Sequence, residues 1–237
     1  MKAGIIAAGR GERLAKGSFS VPKPLIPVGG EPLISRVIRG AASVKVTSVA
    51  CIVNDLNPAV AAYLRSRSWP VPLEVITKTT ANSMESLFCL APLLSEEPFL
   101  LFTVDAVFGF GILENFLSEA LVLNQAQGVL ALTEFIDDEN PLWVRTDRRH
   151  RIIAMGDEAR PSRYATAGFY YFRPDIFAMI DAARTHSLKA LREFLAFLVG
   201  TGHSYYGLPV KKTMDVDNPE DIQKAEAYLK EIEGWTE

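Results

Sequence analysis

The sequence predicts an α/β fold: a three-layer, mostly parallel, Rossmann-like sheet with a mixed or antiparallel extension in its second half. Two observations support this prediction. Between residues 3 and 105, short apolar runs typical of buried strands alternate with segments whose apolar residues recur at helical spacing. After residue 140, strand-like runs flank a polar turn, which is typical of a hairpin. The 237 residues show no linker and no internal repeat, so we expect one domain over residues 1–237, with halves 1–125 and 126–237.

The first half alternates strands and helices. Its predicted strands are the apolar runs Ala3 to Ala8, Ser48 to Val53, Leu73 to Thr77 and Phe99 to Val104. Two predicted helices have their apolar residues on one face, namely Leu33, Ile34, Val37, Ile38 and Ala41 in one and Met84, Leu87, Phe88, Ala91 and Leu94 in the other. Between them, Asn57 is expected to cap a helix that begins at Pro58 and runs through Arg65.

The second half has shorter and more varied elements. Leu142 to Thr146 and Arg151 to Met155 are expected to pair as a hairpin, and Ala165 to Phe172 is an aromatic-rich strand. We expect helices around Asp175 to Arg184 and Leu188 to Val199. Further extended segments are predicted over His203 to Leu208 and Lys211 to Asp215, and Asn218-Pro219 is expected to begin a last helix that runs to about Ile232.

Composition excludes several classes of protein. The net charge is −3, so no overall basic character indicates binding of nucleic acid. The chain has two cysteines, Cys51 and Cys89, both in apolar segments, which indicates buried free thiols rather than a disulfide scaffold. No leader-like segment opens the sequence, and no apolar run is long enough to cross a membrane. We therefore expect a cytoplasmic protein that contacts neither nucleic acid nor membrane.

The first strand leads directly into a glycine-containing loop that resembles a phosphate-binding site. Gly9 and Gly11 allow the backbone to approach a ligand and to present successive N–H groups to an anion, and Arg13 and Lys23 add two positive charges. The sequence after Gly11 is not a P-loop, and Leu14 stands where a dinucleotide fingerprint requires its third glycine. Prolines at 22, 24 and 27 also exclude a long uninterrupted helix after Arg13.

Together, Gly-x-Gly-x-Arg, a nine-residue spacer and Pro22-Lys23-Pro24-Leu25 resemble the signature of the sugar-phosphate nucleotidyltransferases. The resemblance implies transfer of NMP from an NTP to a phosphorylated sugar or polyol, with release of pyrophosphate. It also implies catalytic roles for Arg13 and Lys23, and a nucleotide site that includes Ala8, Gly9 and Gly11. The half 1–125 would then bind the nucleotide, and the half 126–237 would bind the acceptor and supply a second metal ligand.

Three acids follow predicted strands. Asp105 ends an apolar strand, where a carboxylate is costly unless it has a partner, while Asp215 and Asp217 precede the last helix. Mg²⁺ prefers oxygen ligands, typically one or two carboxylates with substrate phosphates. By resemblance, Asp105 and Asp217 hold Mg²⁺, and Asp215 orients Lys23 or the acceptor. A loop cap for Asp105 and a turn acid for Asp215 are the alternatives.

Other segments resemble the family less specifically. Asn82 and Ser83 correspond to the nucleobase pocket, although either residue could simply cap a helix. Gly168 resembles a glycine near the acceptor, although a glycine at a β-bulge would look the same. Many relatives carry a lysine for the acceptor phosphate after the hairpin; this chain has none there, and we expect Arg160 or Arg163 to replace it.

The acceptor remains open. The Asp-Val-Asp-Asn-Pro-Glu-Asp run resembles CTP-dependent cytidylyltransferases for inositol phosphate or phosphocholine, which is one alternative. A catalytically silent subunit that binds a nucleotide sugar and regulates a partner is another. The sequence is also compatible with a homo-oligomer.

Overall fold

The computed structural model describes residues 1–9, 21–136 and 140–233. Within these residues the strands are β1 (Lys2–Ala7), β2 (Pro27–Val28), β3 (Glu31–Pro32), β4 (Val49–Val53), β5 (Leu73–Thr77), β6 (Phe99–Thr103), β7 (Ala106–Val107), β8 (Gly128–Thr133), β9 (Trp143–Thr146), β10 (Ile152–Met155), β11 (Tyr164–Phe172), β12 (Tyr205–Pro209) and β13 (Met214–Asp215). The α-helices are α1 (Leu33–Ser43), α2 (Pro58–Arg65), α3 (Ser83–Leu94), α4 (Phe110–Val122), α5 (Ile180–Thr185), α6 (Leu191–Gly200) and α7 (Pro219–Glu233).

One large sheet contains nine of these described strands. Its main order is β10-β9-β11-β6-β1-β4-β5. In addition, β8 pairs with β11, and β12 pairs with β8. The strands β5, β4, β1 and β6 are parallel. The strands β1, β4 and β6 are buried along most of their length, whereas the edge strand β5 is partly exposed. The long strand β11 runs antiparallel to β6, β8 and β9. A parallel half and a mixed extension therefore meet at β11, and the predicted α/β fold class is confirmed.

Helices cover both faces of the sheet, which makes three layers. On one face, helices α1, α2, α4 and α7 pack on alternate residues of β1 such as Ile5. On the other face, α3, α5 and α6 pack on residues of the opposite parity, such as Ile6. Two apolar cores thus share one sheet, as a doubly covered parallel sheet requires.

The predicted elements are found with their ends shifted by a few residues, and there are three differences. The prediction lacked the short strands β2, β3 and β7. It also lacked α4 and β8, although Leu113, Phe116, Leu117 and Ala120 have helical spacing and Gly128–Thr133 is wholly buried. The stretch Asp175 to Arg184 divides into a 3₁₀ segment, Pro174–Met179, and the short α5. Asn57 precedes α2, but its side chain does not cap the helix. The backbone N–H of Asn57 instead donates a hydrogen bond to the side-chain oxygen of Asn54.

A small second pairing positions the site. After β6, the chain passes Asp105 into β7, which pairs antiparallel with β13 so that Asp215 lies opposite Ala106. The backbone N–H of Val216 donates to the carbonyl of Asp105 over 3.1 Å. This pairing brings the segment before α7 to the carboxyl end of the central strands, where parallel sheets bind ligands. None of the helices in the described ranges is long and apolar enough to cross a membrane.

Candidate active site

Lys23 lies between two carboxylates at the carboxyl edge of the sheet. Its Nζ donates hydrogen bonds to Oδ2 of Asp105 at 2.8 Å and to Oδ1 of Asp217 at 2.7 Å. The Lys23 side chain is only 11% exposed, and those of Asp105 and Asp217 are 30% and 23% exposed. The structure therefore brings together three residues that the sequence predicted for the site. Asp105 lies 82 residues and Asp217 lies 194 residues after Lys23 in the chain.

Local sequence explains how each of the three side chains is held. Lys23 begins a 3₁₀ turn, Lys23–Leu25, flanked by Pro22 and containing Pro24, which restrict the backbone. Asp105 follows β6 after one intervening residue, and the first four residues of β6 are buried in the cores. Asp217 precedes α7, and the carboxylate of Asp221 accepts hydrogen bonds from the backbone N–H groups of residues 217 and 218, at 3.1 and 2.8 Å. Asp221 thus caps the helix and fixes the backbone at Asp217.

Burial and charge act in opposite directions at this cluster. Burial works against ionisation of Asp105, but the ammonium of Lys23 outweighs it and holds the pKa of the Asp105 carboxyl below its usual range. Burial also disfavours the ammonium of Lys23, but Asp105 and Asp217 outweigh it and raise the pKa of Lys23. Lys23 and Asp105 each favour the charged form of the other, and the Lys23 ammonium lies between two converging carboxyl groups.

A cavity of about 380 Å³ opens beside the cluster. Its lining includes five of the predicted site residues, namely Ser83, Asp105, Gly168, Asp215 and Asp217. Hydroxyl and amide groups of Thr133, Asn140, Thr166 and Tyr170 also line it, as do apolar side chains such as Leu142 and Leu195. A mixed lining of this kind, with a few convergent polar groups, is typical of a small-molecule site.

Gly168 lies where β11 is irregular and approaches the strand-end loop. The register of β11 against β8 shifts between Thr166 and Tyr170, and Gly168 has a φ of +79°. A Cβ at this position would lie 2.5 Å from the Cβ of Ala106. Both the backbone conformation and the close approach therefore require glycine, next to Asp105 and facing the cavity.

The predicted nucleotide-binding residues have structural contacts. Asn82 caps α3, because its Oδ1 accepts from the backbone N–H of Glu85 at 3.0 Å, and the Ser83 hydroxyl accepts from the backbone N–H of Leu191 at 2.9 Å. The carbonyls of Ala8 and Gly9 accept from the buried side-chain amide of Asn54, at 3.3 and 3.0 Å. Gly11 and Arg13 lie outside the described residues.

The arginines that were expected to replace the missing lysine do not line the cavity. Arg160 forms an ion pair with Asp157 at 3.3 Å and lies over the ring of Trp143, while Arg163 pairs with Glu134 at 2.8 Å. Arg192, at the start of α6, does line the cavity, and sequence reasoning missed it. The apolar pattern of its segment predicts only a helix packed on the core. The positive charge of Arg192 was the one feature of the sequence that could have indicated contact with an anion.

The chemistry of the acids suits a hard cation. Asp105 and Asp217 direct carboxylate oxygens to the one point where the Lys23 ammonium lies, and such oxygens are ligands that Mg²⁺ accepts together with phosphates. In the described part of the chain, no group of three or more His, Cys, Asp or Glu side chains forms a complete metal site. The residues therefore fit a metal whose remaining ligands come from substrate or water.

Comparison with known proteins identifies the family of this chain. A family model described as a MobA-like NTP transferase domain matches residues 3–168, a span that includes Lys23 and Asp105. The chain is 27% identical over 228 residues to a CMP-5'-(3-aminopropyl)phosphonate synthase of Streptomyces rubellomurinus, covering 88% of this chain and 33% of that protein. It is 24% identical over 232 residues to a mannose-1-phosphate guanylyltransferase of Mycobacterium tuberculosis, covering 95% and 63%.

Solved structures share the fold. The inositol-1-phosphate CTP transferase from T. maritima superposes with a TM-score of 0.82 at 18% identity, over 98% of this chain and 96% of that one. This chain spans 33% and 63% of the lengths of the two curated relatives named above. The family match covers well over half of the chain. It contains Lys23 and Asp105, two members of the lysine–carboxylate cluster that Lys23, Asp105 and Asp217 form. The chain belongs to the MobA-like NTP transferase domain family.

Proposed function

We propose that the protein is a Mg²⁺-dependent nucleotidyltransferase that moves NMP from an NTP to a sugar phosphate, forming an NDP-sugar and releasing pyrophosphate. The observation that supports this most is the Lys23 ammonium held between Asp105 and Asp217 beside a polar cavity. Curated relatives named for guanylyl transfer to mannose 1-phosphate and for uridylyl transfer to glucose 1-phosphate support the same acceptor class.

The reaction requires little proton transfer. A phosphate monoester carries about −1.5 to −2 charge at pH 7, so the acceptor phosphate is already a nucleophile. The main task is to hold two anions in line and to stabilise the charge on the α-phosphate. Lys23 and Arg13 would supply positive charge, Asp105 and Asp217 would hold the metal, and bound Mg²⁺ would add Lewis-acid stabilisation.

The remaining assignments follow the resemblance and the cavity. We assign Ala8, Gly9, Gly11, Asn82 and Ser83 to the nucleotide, and Gly168 and Asp215 to the acceptor side. Asn82 and Ser83 also make structural contacts, so their part in nucleotide binding is to shape the pocket through the start of α3. Residues 1–125 would bind mainly the nucleotide, and residues 126–237 mainly the acceptor.

A second candidate is a cytidylyltransferase for a different phosphorylated or phosphonylated acceptor, such as inositol phosphate or phosphocholine. The relative named a CMP-5'-(3-aminopropyl)phosphonate synthase favours it, because the chain aligns with that protein over 88% of its own length. A third candidate, a catalytically silent nucleotide-sugar binder, is less consistent with an intact Lys23–Asp105–Asp217 cluster.

The test is a pyrophosphate-release screen. Each of the four NTPs is combined with phosphorylated sugars, inositol 1-phosphate, phosphocholine and an aminoalkylphosphonate, with Mg²⁺ or with excess chelator. We expect turnover that chelator abolishes, and the pair that turns over identifies the base and the acceptor. Tight binding of nucleotide sugars with no turnover for any pair would support the silent binder instead. Asp105→Asn serves as the inactive control.

A further inference from the structure

The part of the cavity wall that the structure describes contains four acids and one basic side chain. Among the described residues that line it, the acids are Asp105, Asp215, Asp217 and Asp221, and the one basic side chain is that of Arg192. An anionic substrate would be repelled by such a lining unless cations compensate. Lys23 is already paired with Asp105 and Asp217, so among the described cations Arg192 is the one that can meet an anion at the cavity wall.

The Arg192 side chain retains hydrogen-bonding capacity. Among the described residues, its hydrogen bond in this structure goes from Nη2 to the carbonyl oxygen of Asn140, at 2.9 Å. A guanidinium has five N–H donors in a planar fork that matches phosphate oxygens. The side chain is half-buried, which strengthens a charge-assisted hydrogen bond while leaving the group accessible from the cavity.

Arg192 is held on a rigid element. It is the second residue of α6, and the backbone N–H of its neighbour Leu191 donates to the Ser83 hydroxyl at 2.9 Å. On its other side, the carboxylate of Glu193 accepts from the backbone N–H of Lys189 at 2.6 Å. The start of the helix is therefore anchored at both flanks, so a ligand need not order this backbone on binding.

Arg192 shares its cavity with the acids of the lysine–carboxylate cluster. Asp105 and Asp217 line the same cavity, as does Tyr170, which is 4% exposed. A phosphate in contact with Arg192 therefore lies in the same polar region as the residues that would hold the metal.

We propose that Arg192 binds the phosphate or phosphonate group of the acceptor. The resemblance to the sugar-phosphate nucleotidyltransferases led us to expect Arg160 or Arg163 in this role. This inference rests on the proposed function, because it names the residue that recognises the acceptor in that reaction. It also explains how the chain dispenses with a lysine after the β9–β10 hairpin.

The experiment compares Arg192→Gln and Arg192→Lys with Arg173→Gln. Arg173 is a matched control, because its Nη2 also donates to a backbone carbonyl, that of Asn124 at 2.6 Å, and it does not line the cavity. We expect Arg192→Gln to raise the acceptor KM about 10- to 100-fold and to leave the NTP KM nearly unchanged. Arg192→Lys keeps the charge but loses the fork, so an intermediate value is expected.

A binding measurement makes the test independent of turnover. Calorimetry with glucose 1-phosphate, inositol 1-phosphate and inorganic phosphate compares wild type with the same variants. Weaker binding confined to the Arg192 variants supports the inference even if no NTP is turned over, in which case the proposed reaction alone fails. Unchanged acceptor binding in Arg192→Gln, no binding to wild type, or a larger effect of Arg160→Gln or Arg163→Gln would overturn it. An equal loss of NTP and acceptor binding with a lowered melting temperature would assign Arg192 a structural role.

Discussion

At the scale of single residues, Lys23 shows most clearly what tertiary contacts add to a motif. The sequence places it between two prolines in a polar loop, where no partner for its charge is evident. In the structure it is 11% exposed and paired with two acids. A buried lysine requires such partners. Removing Lys23 would leave two facing carboxylates without their cation, and removing one acid would leave Lys23 with a single partner. The same contact that prepares the site therefore also stabilises the fold.

The Asp105–Lys23 contact makes stability depend on pH. Burial opposes ionisation of Asp105, but Lys23 outweighs it and lowers the pKa of the Asp105 carboxyl in the folded state. The stabilisation is thus complete above the unfolded pKa of about 4 and is lost as the pH falls through the lower folded value. We expect Asp105→Asn to cost about 1–3 kcal/mol in free energy of unfolding at pH 6 and less at acidic pH.

Urea unfolding of wild type and Asp105→Asn at pH 6 and at pH 3 measures this difference. Other carboxyls titrate in both proteins, so only the difference between the two is compared. A difference that stays constant from pH 6 to pH 3 would contradict the role of the Asp105 charge.

A second prediction separates the two late acids. Asp217 contacts Lys23 together with Asp105, whereas Asp215 belongs to β13 and is exposed, so we assign the metal to Asp217. Asp217→Asn should raise the Mg²⁺ concentration for half-maximal rate, and weaken Mn²⁺ binding seen by electron paramagnetic resonance, by roughly tenfold or more. Asp215→Asn should mainly raise the acceptor KM. The reverse pattern would exchange the two assignments.

At the scale of elements, the irregular strand β11 connects the core to the site. Gly168 has a positive φ, and the hydroxyl of Thr103 donates to its carbonyl at 3.2 Å. This contact joins β11 to the end of β6 directly before Asp105. The irregularity of β11 at Gly168 therefore brings this strand, from the second half of the chain, close to the loop that carries Asp105.

Replacing Gly168 tests this arrangement. In Gly168→Ala the new Cβ would meet Ala106 at 2.5 Å and the Thr103 hydroxyl at 2.9 Å, in a backbone conformation that alanine disfavours. We expect a loss of about 2–4 kcal/mol in free energy of unfolding, measured by chemical denaturation. The control is Gly111→Ala in α4, where a Cβ meets no atom within 4 Å. A gain of about 0.4–1 kcal/mol is expected there, since alanine restricts the unfolded chain. Equal effects of the two changes would argue against strain at Gly168.

At the scale of the whole molecule, one sheet spans both halves of the chain. The strand β11 from the second half pairs with β6 from the first, and the family match over residues 3–168 crosses the division at 125. Separating the halves would expose the buried edge of β6 and divide both apolar cores. A single domain over residues 1–237 therefore remains our prediction.

Two tryptophans can test that prediction. Trp69 lies in the first half and Trp143 in the second. In a Trp235→Phe background, variants that retain only Trp69 or only Trp143 should show the same unfolding midpoint by fluorescence, coincident with circular dichroism. Unmodified protein followed by circular dichroism controls for the substitutions. Two separated midpoints would show that the halves unfold independently.

The sequence by itself determined the fold class and most strands and helices, which follow from local patterns of apolar periodicity and of proline and glycine positions. Its resemblance to the sugar-phosphate nucleotidyltransferases singled out Lys23, Asp105 and Asp217 as site residues. Sequence reasoning did not identify Arg192 as a cavity residue, and for Asn82 and Ser83 it left a helix cap and a nucleobase pocket as alternatives.

Only the tertiary structure decided those points. Arg192 reaches the cavity because the start of α6 is held against Ser83, a contact between residues 108 positions apart. Asp217 reaches Lys23 because β13 pairs with β7. The hydrophobic pattern of a segment records which face is buried, but not which distant segment packs beside it, so the partner of a polar side chain is settled only when the chain is folded.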